Sequence, residues 1–220
     1  HNAWATFIAS DLNRKLPPGY FAEPNVQFGI EIDVATFEES QEFRGVGEPS
    51  GIASAVWTPP APSLTIPFTL VTDIVEVAVY NTEAGPVLAG AIKLISPANK
   101  DRPENCESFV AKCAAYLQQG VGLVVVDVVT TRKKSLHGEL LSRFDPALPR
   151  GDLADLYAAA YRPVERNQQT SLDIWHDGLA VGQPLPTMPL WLLGGLCLPV
   201  DLNSTYERTC LEQRLVESDK

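Results

Sequence analysis

Two short apolar runs organise the chain, Val87 to Ile95 and Val121 to Val129. Both are shorter than typical helices and rich in β-branched residues, a combination that predicts buried strands. Between them Phe109, Cys113, Tyr116 and Leu117 recur at spacings of three and four, which predicts a helix over Glu104 to Gln119 with one apolar face. Gly120 closes that helix. A strand, a helix and a strand joined at this length favour a right-handed crossover onto a parallel neighbour. The fold class expected is α/β, bordering on α+β: a mixed sheet flanked by helices.

The flanking pattern extends this core. Trp4, Phe7, Ile8 and Leu12 form a helical stripe that stops at Leu16-Pro17-Pro18-Gly19-Tyr20. Val26 to Val34 alternates as a half-buried strand does, with Glu31 and Asp33 on one face and Ile30, Ile32 and Val34 on the other. From Glu38 to Pro62 there is no period, and a long surface excursion is expected. Thr65 to Tyr80 has strand composition, and Asn81 to Pro86 supplies turn residues, so a hairpin is expected to feed the central strand. Further on, Leu153 to Val164 and Ser171 to Trp175 are expected as strands, and Pro184, Pro186 and Pro189 mark a connection. Asp201 to Ser204 has helix-start chemistry for a terminal helix reaching Leu215. With no internal repeat and no clear boundary, 1–220 is expected to be one domain, its segment 151–220 a C-terminal extension packed on the core.

Composition narrows the function classes. Seventeen basic against 27 acidic residues give a formal charge of -10, which disfavours a protein that coats duplex nucleic acid through a broad basic face. Only Thr130-Thr131-Arg132-Lys133-Lys134 is densely basic; it is either a solvated loop or a phosphate-contacting one, with Arg132 and Lys133 as the contacts. No apolar run approaches the roughly 20 residues that span a bilayer, and the first residues lack a leader pattern, so a cytoplasmic protein with no membrane contact is expected. Cys106, Cys113, Cys197 and Cys210 form no Cys-x-x-Cys pair and are expected as reduced thiols. Phosphate-binding, dinucleotide-binding, zinc-protease and nucleophile-elbow motifs are all absent. His1, His137 and His176 are too scattered to suggest a multi-histidine metal site.

The expected order is a helix, a strand with Asp33, a hairpin, a strand reading Ile92-Lys93-Leu94-Ile95-Ser96-Pro97, a helix, and a strand reading Val124-Val125-Val126-Asp127. That order resembles the core of the restriction-endonuclease-like superfamily, the PD-(D/E)XK phosphodiesterase fold. More narrowly, Leu16 to Tyr20, Leu94-Ile95-Ser96-Pro97-Ala98-Asn99-Lys100, Leu185 to Pro189 and Val200-Asp201-Leu202 resemble a bacterial domain-of-unknown-function family with a Ser-Pro-Ala-Asn-Lys core. The superfamily resemblance implies two carboxylates on adjacent strands that hold magnesium, and a lysine that orients the attacking water. Asp33 matches the strand aspartate, with Glu31 as a possible second ligand. The narrower family favours glutamate where this chain has Lys93; in the other register Lys93 is the motif lysine and Ala91 stands at the acid position. Lys112 could replace the lysine but not the carboxylate. Lys93 is therefore expected to pair with Asp33 or Glu31, and the site to need no cofactor. Ser96, Asn99 and Lys100 are either a turn or a binding loop. The function expected is a non-catalytic binding or assembly module, a pseudoenzyme with a protein partner or self-association; the alternative is a magnesium-dependent nuclease acting on nucleic acid.

Overall fold

The computed structural model describes residues 2–27, 31–38, 58–67, 87–148, 154–166 and 168–215. The described elements run α1 (Asn2–Asn13), β1 (Tyr20–Gln27), β2 (Glu31–Glu38), β3 (Leu64–Pro67), β4 (Val87–Leu94), α2 (Pro97–Asp101), α3 (Pro103–Gln118), β5 (Gly122–Asp127), α4 (Leu136–Phe144), β6 (Tyr157–Arg166), β7 (Gln169–Gly178), β8 (Thr187–Trp191), β9 (Cys197–Asp201) and α5 (Leu202–Glu212). Seven strands form one mixed sheet in the order β1-β2-β4-β5-β6-β7-β3, and β8 and β9 form a separate pair.

The centre follows the apolar pattern. β4 and β5 are parallel, Ala91 beside Leu123 and Lys93 beside Val125, with α3 as the crossover. At the end of α3 the Gly120 N–H bonds to the Leu117 carbonyl and the Val121 N–H to that of Tyr116. This double closure requires the left-handed backbone that Gly120 supplies at φ +80°. The expected strands near Asp33, Val87 and Val121 thus belong to one mixed sheet.

Several boundaries differ from the expectation. Val26 to Val34 is not one strand: β1 pairs antiparallel with β2 from Tyr20↔Glu38 to Gln27↔Glu31, so the chain reverses within that span. Alternation alone cannot mark a reversal, because both arms keep a period of two. β3 lies at the sheet edge remote from β4, paired with β7, so the described part of the Thr65 to Tyr80 stretch does not pair with β4. The remainder of that stretch, the turn before Val87 and most of the Glu38 to Pro62 excursion lie outside the described residues. β6 and β7 continue the main sheet beyond β5, so these two strands of the 151–220 segment belong to the central sheet. The Pro-rich connection contains the β8–β9 hairpin.

Alternate residues of the strands feed two cores. Ala91, Leu123, Val125 and Ala159 pack with Phe109, Cys113 and Leu117 of α3 and Leu136 and Leu140 of α4. Ile92, Val124, Val126 and Ala160 pack with Trp4, Ile8 and Leu12 of α1, and with Leu190, Leu198 and Leu202 from β8, β9 and α5. Trp4 Nε1 donates to Thr205 Oγ1 at 3.0 Å, joining α1 to α5. None of the four cysteines is in a disulfide among the described residues, and Cys106 and Cys113 are buried on α3. Among the described residues no helix is long and apolar enough to cross a membrane.

Candidate functional site

On β4, Ala91 and Ile95 belong to the α3-side core, and strand alternation puts Lys93 on that same face. Its ammonium lies 5.7 Å from the ring centroid of Phe109, within cation–π range. The residue is only 5% exposed. Antiparallel pairing of β2 with β4 sets Val34 beside Ile92 and Ala35 beside Ala91. The ladder ends at that Val34–Ile92 pair, with Asp33 and Lys93 the next residue on each strand beyond it. The side chains of Glu31 and Asp33 lie outside the described residues.

A small cavity of about 230 Å3 opens beside this face, lined by Lys93, Asn99, Asn105, Ser108, Phe109 and Lys112 among others. Lys93, Asn99 and Lys112, separated in sequence, thus meet at one place. Asn99 Oδ1 accepts from both the Ser96 N–H and the Ser96 hydroxyl at 2.8 Å, and Asn105 Nδ2 donates to the Ala98 carbonyl at 2.9 Å. Ser96 and Asn99 therefore build the start of α2, the turn alternative. Magnesium needs converging oxygen ligands. Among the described residues no group of three or more His, Cys, Asp or Glu is placed to hold a metal.

Lys100 is interior. Its Nζ lies 2.5 Å from Asp127 Oδ2, and both side chains are wholly buried. The contact is an ion pair by distance but lies off the hydrogen-bond axis, since Oδ2 has no hydrogen-bond partner by angle among the described residues. Lys100 also donates to the Arg132 carbonyl at 3.2 Å, and Asp127 Oδ1 accepts from the Val129 N–H at 3.1 Å. Burial raises the Asp127 pKa, opposed by Lys100 and by that backbone bond. Lys100 thus ties α2 to the end of β5 and to the basic loop. On that loop Arg132 pairs with Asp101 at 2.8 Å, and Lys133 lies 3.8 Å from Asp155. Both are exposed, and both face a carboxylate.

A second cluster lies at the same end of β5. His137 of α4 is hydrogen-bonded through Nδ1 to the Tyr161 hydroxyl at 2.5 Å and stacks on His176 at 4.7 Å. Tyr157 stacks on His176 at 5.7 Å. Among the described residues the Tyr157 hydroxyl and His176 Nε2 have no hydrogen-bond partner. Burial, with the neighbouring His176, lowers the His137 pKa to about 3, so the ring is neutral at physiological pH. Sequence reasoning missed this cluster because it missed α4. The signal was there: Ser135 caps the helix, accepting from the Gly138 N–H, and Leu136 and Leu140 share the buried face at i,i+4 spacing. No family model matches the chain, and neither a curated protein nor a solved structure resembles it at a significant level.

Proposed function

We propose that this chain is a degenerate member of the restriction-endonuclease-like superfamily, close to the bacterial Ser-Pro-Ala-Asn-Lys family, working as a non-catalytic binding or assembly module. The observation that carries this reading is Lys93: a buried cation on the central strand, just beyond the last β2–β4 pair at Val34 and Ile92, in the place where an active relative would present a carboxylate. The strand order β2-β4-β5 with α3 as crossover supports the superfamily assignment. An ammonium there repels a divalent ion and competes for any carboxylate oxygen nearby. The acidic balance of the chain favours a protein partner or self-association over nucleic acid. Four cysteines outside any disulfide suit a reducing, cytoplasmic setting.

Calorimetry tests the reading. The unmodified protein is expected to bind magnesium and manganese weakly or not at all and to leave nucleic acid uncleaved, whereas Lys93→Glu gains measurable metal binding. Tight binding by the unmodified protein, abolished by Asp33→Ala, refutes the degenerate-site reading and restores the magnesium-dependent nuclease.

A further inference from the structure

Arg162 of β6 lies on the sheet face opposite Lys93, among the residues that pack toward α1 and the β8–β9 hairpin. Its Cζ is 3.6 Å from the ring centroid of Trp191, a separation that only a face-to-face stack reaches. A stacked guanidinium keeps its N–H edges free for a partner in its own plane. The cross-strand neighbour, Asp173, acts on Arg162 through its charge but forms no hydrogen bond with it. Asp173, paired with Arg162 across the ladder, accepts from Arg166 through both oxygens, at 2.6 and 2.5 Å, and from Thr65 at 2.7 Å. Arg162 itself forms no hydrogen bond with any described residue, and partial burial lowers its pKa.

A cavity of about 500 Å3 is lined by Arg162 together with Gly120, Gly122, Trp191, Gly194 and Gly195, a volume within the range of small-molecule sites. Its floor is anchored: the Trp191 carbonyl oxygen would lie 2.0 Å from a Cβ at Gly122, and the Leu193 N–H bonds to the Ala89 carbonyl at 2.7 Å. The far wall is open, since a Cβ at Gly194 or Gly195 would meet nothing within 4 Å. The Trp191 indole N–H is buried and without an acceptor among the described residues, so the donors offered to the cavity are those of Arg162. Glu165 also lines the cavity and opposes a multiply charged anion.

We infer that this cavity binds the carboxylate of a small organic acid, held edge-on by the Arg162 fork above the Trp191 ring. The site is independent of the Lys93 face, so either reading can fail alone. The test is a titration of the 15N-labelled full chain with benzoate and acetate, with inorganic phosphate and chloride as comparisons at constant ionic strength. Benzoate is expected to shift the Trp191 indole N–H and the Gly120, Gly194 and Gly195 amides and to saturate in the millimolar range. Arg162→Gln should weaken binding by about tenfold or more, Arg162→Lys less, and Glu165→Gln should tighten it. An unchanged amide spectrum outside the cavity verifies that each variant is folded. Absence of saturating shifts up to roughly 50 mM, equal shifts in folded Arg162→Gln, tighter binding of phosphate than of benzoate, or equal shifts with chloride would each overturn the assignment.

Discussion

Lys100 and Asp127 show how a single residue pair can bear on the whole core. Both charges have left water, and each is tolerated only because the other is there. Lys100→Met is expected to cost about 3–5 kcal/mol in a urea titration, because it strands a buried carboxylate. Lys100→Met combined with Asp127→Leu should cost clearly less, and a double variant as unstable as the single one would sink this account. His137 gives a pH dependence with a definite sign. Its folded pKa of about 3 lies below the ordinary histidine value of 6.5, so the unfolded chain takes up a proton that the folded protein refuses. The stability tied to neutral His137 is fully present above about pH 6.5 and is lost as pH falls toward 3, at up to about 1.4 kcal/mol per pH unit. Asp127, its pKa raised, works in the opposite sense. Urea titrations of the protein and of His137→Phe between pH 4 and 7 isolate the histidine: the variant should lose this part of the slope, and parallel curves would refute it. The residue types at these positions were legible in the sequence, but their partners were not. Lys100 and Asp127 meet only once β4 and β5 lie parallel, and no local spacing encodes that meeting.

At the scale of elements, apolar periodicity was a good guide wherever a segment was long or buried on both sides. β4, α3 and β5 appear close to their expected bounds because their patterns leave little alternative. It was a poor guide at the ends of the sheet. β1 was lost because Pro24 and a half-polar alternation gave it no distinct signature, and the β8–β9 hairpin because prolines at 184, 186 and 189 read as connection. The candidate site was legible only as a set of residue types: Lys93, Asn99 and Lys112 meet through the fold of α2 and α3 against β4. One contact between elements was invisible in the sequence. β5 can receive the end of β8 only where it has no side chain, and Gly122 is that place. Gly122→Ala must push against the Trp191 backbone rather than a flexible side chain. It is expected to destabilise by about 3 kcal/mol, near the upper end for overpacking, and also to disturb the Trp191 indole resonance. A near-neutral thermal shift would show that the hairpin moves aside freely.

For the molecule as a whole, the arrangement separates two surfaces. The α3–α4 side carries the Lys93 face, and the opposite side, under α1, α5 and the β8–β9 hairpin, carries the Arg162 cavity. The sheet order also bears on how the chain reaches this state. The edge strand β3 joins β7 through Thr65 and Asp173, which are 108 positions apart. At ribosomal rates of about 5–20 residues per second, Thr65 is made roughly 5–20 s before its partner. Pairing over such a separation is slow in itself, because a long loop must close before any contact rewards it. Throughout that interval the β3 segment lacks the strand it pairs with in the folded protein, so the newborn chain carries an apolar, β-prone segment that nothing of its own can yet cover.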